Sequence, residues 1–158
     1  MPGAGKSTNG LLLAKALGKD FLDTDVLIQV CKGKTLQQIM DGSDYLQLRQ
    51  IEESVLTDIN AQNSVIATGG SAVYSTEGMS QLKNNGVIIY LQTPLETLTQ
   101  RIHDYETRGI AKHPDQSFDD LFNERTKLYN QYADICIHCD QQSSEDVVNS
   151  IIETLGNL

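Results

Sequence analysis

The opening residues MPGAGKST constrain the fold more than any other part of this 158-residue chain. Gly5-Lys6-Ser7 ends the phosphate-binding pattern G-x-x-x-x-G-K-[ST], whose first glycine would stand immediately before Met1. In such loops, glycines let backbone N–H groups converge on phosphate oxygens, and the following helix points its positive end at them. The pattern predicts that Lys6 binds the β- and γ-phosphates of a nucleotide and that Ser7 coordinates Mg²⁺. The alternative is a glycine-rich helix start without a ligand.

Short apolar segments alternate with helical patterns along the rest of the chain. The segments are apolar through consecutive residues, as in parallel strands that are covered on both faces. We expect strands at 21–22, 65–67, 87–91 and 135–137, and helices at 6–17, 45–60, 94 to about 103, 117 or 118 to 132, and 144–155. This alternation predicts one α/β domain over residues 1–158, with a short parallel sheet between helical layers.

The start of the chain does not fit that architecture. In α/β folds of this kind a strand delivers the chain to the phosphate loop, and no residues for such a strand precede Met1. We therefore expect that the first, central strand is absent from this chain and that the natural protein is longer. A native mass of 17.4 kDa would contradict this expectation.

Composition narrows the possible partners. With a net charge of −9, the protein is not expected to track a nucleic-acid backbone over a broad surface, so a few local cations must hold any anionic ligand. No apolar run reaches the ~20 residues that span a bilayer, and the N-terminus lacks a secretory signal, which predicts a cytoplasmic protein. The C-x-x-C at 136–139 lies in a predicted strand without a second cysteine pair, which argues against a redox or zinc site.

Two further segments carry ambiguous signals when taken alone. Asp23 and Asp25 follow a predicted strand, where carboxylates can project into a site, but Asp25 could equally cap a helix that begins at Val26. The Gly69-Gly70 pair follows the next strand, where it could admit a ligand close to the backbone or form a tight turn.

Together and in this order, the segments resemble the shikimate kinase family over nearly the whole chain. The matching motifs are GAGKST (3–8), FLDTD (21–25), LRQIE (48–52), TGGS (68–71), VIIYL (87–91), RGI (108–110) and ERTKLYNQYAD (124–134). The resemblance implies a P-loop kinase fold, ATP and Mg²⁺ as cofactors, and a small hydroxylated carboxylic acid, most simply shikimate, as the acceptor. It also implies a monomer that binds neither nucleic acid nor membrane.

The resemblance implies a nucleotide site and a mobile lid at about 103–116. Arg108 would close with this lid and stabilise the charge of the transition state. Ser7 would hold Mg²⁺, with Asp23 in its outer shell, and Arg101 would lie against the adenine ring. The implied nucleotide-binding residues are Gly3, Ala4, Gly5, Lys6, Ser7, Thr8 and Arg101.

The resemblance also implies the acceptor site. Asp25 would accept hydrogen bonds from the acceptor's hydroxyls and orient or deprotonate the attacking one. Arg49 and Arg125 would clamp its carboxylate, although each arginine could instead pair with a carboxylate nearby. Gly69 and Gly70 would offer backbone N–H groups.

Two departures from the family pattern concern the acceptor more than the nucleotide. Ser71 replaces the third glycine of TGGG, and the lid has Arg108-Gly109-Ile110 where an arginine, a proline and two leucines are usual. Two alternatives therefore remain open: a kinase of the same build for another acceptor such as gluconate, and a nucleotide-binding relative without catalytic activity.

Overall fold

The computed structural model describes residues 1–102 and 109–156, which form alternating helices and short strands. In chain order these are α1 (Lys6–Leu17), β1 (Asp20–Asp23), α2 (Thr24–Lys32), α3 (Leu36–Asp41), α4 (Tyr45–Asp58), β2 (Ser64–Ala67), a 3₁₀ turn (Ala72–Tyr74), α5 (Thr76–Asn85), β3 (Ile89–Gln92), α6 (Leu95–Arg101), α7 (Phe118–Tyr132), β4 (Ile135–His138) and α8 (Ser144–Leu155). None of the described helices is both long and apolar enough to cross a lipid bilayer.

The four strands pair in parallel, as the sequence predicts, but they form two sheets instead of one. Strand β1 pairs with β2 from Asp20–Ser64 to Asp23–Ala67. Strand β3 pairs with β4 from Ile89–Ile135 to Gln92–His138. Within the described residues, β2 and β3 are not joined by a ladder of hydrogen bonds.

Helix α1 holds the two sheets together. It packs against β1 and β2 on one side and against α8 on the other. Its Leu13 is buried in a cluster with Ile135 and Ile137 of β4 and with Val147 and Ile151 of α8. Because burying one such side chain contributes about 2 kcal/mol, this cluster fixes the helix, and therefore the phosphate loop before it, against both sheets.

The sequence analysis missed three helices, α2, α3 and α5. Each is short and is started by a side-chain cap, which a search for long apolar periodicity overlooks. Asp23 caps α2, Thr35 forms a capping box on α3, and Ser75 caps α5. The cap of α2 is thus Asp23, and not Asp25 as the capping alternative proposed.

Candidate active site

A cavity of about 450 Å³ lies between the phosphate loop, the ends of β1 and β2, and helix α7. It collects most of the site residues predicted from sequence, namely Gly3, Gly5, Lys6, Ser7, Thr8, Asp25, Gly70, Arg101 and Arg125. Ser71, which the sequence analysis links to the acceptor, also lines the cavity, as do Gly109, Ile110 and Ala111 of the predicted lid. The prediction did not assign a role to the rest of the lining, formed by Pro2, Leu36, Leu48, Glu52 and Thr68.

The phosphate loop has a backbone that only glycine adopts readily. Gly3 and Gly5 have φ angles of +76° and +82°, a region that costs other residues roughly 1–2 kcal/mol. A Cβ on Gly3 would also lie 2.9 Å from a side-chain carbon of Ile102. The loop leads into α1, which has no side-chain cap and no acidic residue in its first turn. The first N–H groups of α1 are thus left for an external anion, and this end of the cavity fits a phosphate.

Lys6 stands at the centre of the charged groups of the cavity. Its Nζ donates a hydrogen bond of 2.9 Å to the carbonyl oxygen of Met1. Burial lowers the pKa of Lys6, and the carboxylates of Asp25, Asp23 and Glu52 act in the opposite direction. A buried lysine among carboxylates provides a positive charge in a poorly solvated place, where its effect on a phosphoryl group is strong.

Asp23 and Asp25 have different surroundings. Oδ1 of Asp23 accepts hydrogen bonds from the backbone N–H groups of Asp25 and Val26, at 3.0 and 3.3 Å, so Asp23 holds the start of α2. Asp25 turns into the cavity. Burial raises the pKa of Asp25, the charge of Asp23 raises it further, and Lys6 opposes both. Asp25 is therefore the carboxylate of this pair that is placed and tuned to accept a proton.

Glu52, which the sequence analysis quoted only as part of a motif, is a buried part of the cavity wall. It accepts a short hydrogen bond from the hydroxyl of Ser71. Burial raises the pKa of Glu52 to about 7, while the bond from Ser71 lowers it. A Cβ on Gly69 would clash with carboxylate oxygens of both Glu52 and Asp25, so the two carboxylates approach the backbone at this glycine. The sequence feature that could have identified Glu52 is its position on the apolar face of helix α4, because a charged group is buried only at a cost that partners must offset.

Arg125 is the largest fully buried side chain of the described protein, with 1% of its surface exposed. Its Nη2 donates a hydrogen bond of 2.7 Å to the carbonyl oxygen of Ala111. Its Nη1 lies 2.9 Å from the place of a Cβ on Gly70. Within residues 1–102 and 109–156, no carboxylate forms an ion pair with it. A buried guanidinium that lines a cavity without an ion-pair partner is a strong site for an anion.

Arg49 does not line this cavity as the predicted clamp requires. It lines a neighbouring cavity of about 330 Å³ together with Tyr45, His113 and Glu124, among others. Its guanidinium carbon lies 3.5 Å from the ring centre of Tyr74. Its Nη2 is 3.5 Å from the carbonyl oxygen of Ala111, the same atom that Arg125 contacts. The two arginines therefore approach one another at Ala111, but from different sides.

The other predicted residues have varied positions. Ala4 is buried in the hydrophobic core. The N–H group of Gly69 donates a hydrogen bond of 3.0 Å to Oγ1 of Thr24, so this N–H group already has a partner within the protein. Arg101, at the end of α6, is exposed at the cavity's edge. Arg108 and the first half of the predicted lid lie outside the described residues.

The residues around the phosphate loop fit a nucleotide with Mg²⁺. Ser7 is exposed and lines the cavity directly after Lys6. Asp23 and Asp25 are close enough to Lys6 to affect its pKa. A serine hydroxyl beside carboxylates offers only oxygen ligands, which Mg²⁺ prefers.

Comparisons with known proteins agree on one family. The family model described as shikimate kinase matches residues 2–156. A shikimate kinase of Haemophilus influenzae is 36% identical over 99% of this chain and 89% of its own length. A shikimate kinase of Vibrio vulnificus is 35% identical over 97% of this chain and 91% of its own.

Solved structures agree with the sequence comparisons. The shikimate kinase from Acinetobacter baumannii, solved in complex with shikimate, superposes with a TM-score of 0.89 at 32% identity and covers 98% of this chain and 88% of its own. The Aquifex aeolicus shikimate kinase gives a TM-score of 0.82 at 30% identity, over 99% of this chain and 92% of its own. These likenesses bear out the predicted α/β kinase fold.

Proposed function

The chain belongs to the shikimate kinase family, and on that premise we propose that it transfers the γ-phosphoryl group of ATP to a hydroxyl group of shikimate. The product is shikimate 3-phosphate, and the second product is ADP. The proposal concerns the small-molecule acceptor and not the oligomeric state or the location. That the protein is a monomer and that it is cytoplasmic remain predictions from the sequence.

The observation that carries the acceptor assignment is the buried guanidinium of Arg125, which forms no ion pair with a carboxylate within residues 1–102 and 109–156. A carboxylic acid supplies the opposite charge and two oxygens in the geometry of the guanidinium fork. Nη1 of Arg125 lies 2.9 Å from the place that a Cβ on Gly70 would take, and Gly70 and Asp25 line the same cavity as Arg125. An acceptor that carries a carboxylate at one end and hydroxyls at the other fits this separation of charges.

The phosphate end supports ATP as the donor. The glycine loop and the start of α1 would bind the phosphates, and Lys6 would contact the group that is transferred. Ser7 would hold Mg²⁺, with Asp23 in its outer shell. When bound, Mg²⁺ neutralises charge on the β- and γ-phosphates. Thr8 and Arg101 line the edge of the cavity toward the nucleoside, and Arg108 supplies a further cation from the lid.

The reaction needs positioning and positive charge more than a covalent nucleophile. The acceptor's 3-hydroxyl oxygen attacks the γ-phosphorus, the bond from that phosphorus to the oxygen of ADP breaks, and the hydroxyl proton passes to Asp25. The raised pKa of Asp25 favours this transfer. Lys6 stabilises the charge on the equatorial oxygens. Gly70 would offer its N–H group to the acceptor, whereas that of Gly69 donates to Oγ1 of Thr24.

The test is ADP release from Mg-ATP, with and without shikimate, on protein that circular dichroism shows to be folded. Arg125→Met removes the charge and keeps much of the side-chain volume. We expect the KM for shikimate to rise at least a hundredfold while the KM for ATP changes less than threefold. Lys127→Met on the exposed face of α7 is the matched control and should leave both values unchanged.

The other outcomes identify the alternatives. ADP release that depends on gluconate and not on shikimate would identify gluconate, and not shikimate, as the acceptor. Saturable ATP binding without turnover on any hydroxy acid would overturn the proposal in favour of a non-catalytic relative. An unchanged KM for shikimate in Arg125→Met would show that Arg125 does not bind the acceptor's carboxylate.

A further inference from the structure

Tyr74 was not among the predicted site residues, and it stands between the two arginines. It ends the 3₁₀ turn that follows Ser71. The guanidinium carbon of Arg49 lies 3.5 Å from the centre of its ring, and that of Arg125 lies 5.4 Å from it. Cations within about 6 Å of a ring centre are attracted to the negative face of the ring. One ring thus contacts a cation from α4 and a cation from α7.

Other groups also act on the two arginines. Both Nε atoms are buried without a hydrogen-bond partner in the part of the chain that the structure describes. Arg125 has hydrogen bonds with Tyr74 and Tyr129, and the charges of both guanidinium groups act on Glu52. Among the described residues, both arginines converge on the carbonyl oxygen of Ala111. Two like charges at one neutral oxygen repel one another, and the tyrosine ring contributes an attraction to both of them.

The hydroxyl group of Tyr74 fixes the ring in place. It donates a hydrogen bond of 2.5 Å to Oε1 of Glu124. The other oxygen, Oε2, accepts a hydrogen bond of 2.6 Å from the side-chain amide of Gln116. Burial and the bond to Glu124 raise the pKa of Tyr74, so the phenol stays protonated and continues to donate at neutral pH. This chain of contacts connects the ring to the segment just before α7.

We propose that Tyr74 is a positioning residue for the acceptor site, whose ring holds the guanidinium groups of Arg49 and Arg125 beside one another for the acceptor's carboxylate. The inference rests on the proposed function, because that function assigns Arg125 to the carboxylate; it adds Arg49, which approaches Arg125 at the carbonyl oxygen of Ala111. Tyr74 touches neither substrate; it acts through the two arginines.

The experiment compares Tyr74→Leu with Tyr74→Phe in the shikimate-dependent assay. Tyr74→Leu removes the ring and should raise the KM for shikimate about tenfold, with the KM for ATP within twofold. Tyr74→Phe keeps the ring and should recover most of that loss. Tyr45→Leu is the matched control, because the ring centre of Tyr45 lies 5.0 Å from the guanidinium carbon of Arg49. Within the described residues its ring makes no cation contact with Arg125, so Tyr45→Leu should have a smaller effect than Tyr74→Leu.

A spectroscopic measurement tests the same idea without turnover. In a ¹H–¹⁵N spectrum of the arginine Nε–H groups, the ring current of Tyr74 should move the chemical shift of Arg49 away from the value that is usual for arginine. Tyr74→Leu should remove this shift and Tyr74→Phe should keep it. A merely structural role would lower the urea midpoint of unfolding and change both KM values together, with no such selectivity.

The results separate this inference from the function beneath it. If Arg125→Met raises the KM for shikimate while Tyr74→Leu leaves it within twofold, the inference about Tyr74 is wrong and the function stands. If no shikimate-dependent turnover exists, the proposed function fails, and the arginine spectrum alone decides whether Tyr74 positions the two cations.

Discussion

The two ends of the cavity are built in different ways. The phosphate end comes from one continuous stretch, residues 3–8, and depends on backbone conformation and on the start of α1. The acceptor end comes from side chains that are far apart in sequence: Asp25, Glu52, Ser71 and Arg125. The first end is a property of one loop, while the second exists only when α2, α4, α7 and the turn after β2 are packed together.

This difference determines how each end responds to change. A backbone site loses function when the loop is strained, and its neutral N–H groups do not titrate. A side-chain site contains buried charges, so its stability depends on pH and on the hydrogen bonds between its members. The following predictions test whether the division is as sharp as the structure implies.

The largest effect is expected for Lys6→Met. It removes the cationic side chain of residues 3–8, and turnover should fall about a thousandfold, or about 4 kcal/mol of transition-state stabilisation. Titration calorimetry of shikimate should give an affinity within threefold of wild type. Lys15→Met on the exposed side of α1 serves as the control. A large loss of shikimate affinity in Lys6→Met would break the division between the two ends.

The second effect is a pH dependence that Glu52 gives to the acceptor end. The pKa of Glu52 is raised from its usual value of 4.5 to about 7, so the folded protein keeps this proton at a pH where the unfolded chain has lost it. The free energy of unfolding should therefore fall as pH rises from about 4.5 to about 7, by about 3 kcal/mol from this group.

Urea unfolding of wild type and Glu52→Gln at pH 5 and pH 8 measures this dependence. Glu52→Gln cannot ionise and should lose most of the difference between the two pH values, whereas Glu53→Gln, its neighbour, should retain it. Equal pH dependence in wild type and Glu52→Gln would show that burial does not raise the pKa of Glu52 as the structure implies.

A smaller effect is expected for Gly3→Ala, which strains the phosphate end without adding or removing a charge. The positive φ and the approach to Ile102 should together cost about 2 kcal/mol, in stability or in ATP affinity. Gly18→Ala at φ +63° has open space around its Cβ and isolates the backbone part of the cost. Urea unfolding with and without ATP measures both variants; a pH-dependent cost for Gly3→Ala would contradict a purely backbone cause.

The smallest effect is expected for Ser71→Ala at the acceptor end. The substitution leaves Glu52 without its hydrogen bond, which costs about 1.5 kcal/mol at pH 8, where the carboxylate is charged. At pH 5 the cost should be smaller, because the protonated carboxyl no longer relies on that donor. Unfolding curves at the two pH values provide the test, and an identical cost at both would sink the assignment.

The same division explains what the sequence could predict. The loop, its lysine and the four strand positions follow from local patterns, and the structure places them within about two residues of the predicted bounds. Strand β3 begins at Ile89 and not at Val87, because Val87 is exposed and Ile88 bonds instead to Asp134.

The acceptor end could be predicted only in part, since its geometry depends on tertiary packing. Arg49 and Arg125 were identified by resemblance, but no local pattern states that Arg49 lies on Tyr74 beside a second cavity. The hydrogen bond between Ser71 and Glu52 joins residues 19 apart on different elements. The N–H group of Gly69 is engaged by Thr24, 45 residues away. Such pairings are set by the fold and leave no periodicity in the sequence.

The carbonyl oxygen of Ala111 means that the acceptor end is ordered before any ligand arrives. Nη2 of Arg125 donates to this oxygen at 2.7 Å, and Nη2 of Arg49 lies 3.5 Å from it. A guanidinium has five N–H donors, so this contact leaves others for a ligand. A side chain that is already held loses less conformational freedom on binding, and more of the contact energy then remains as affinity.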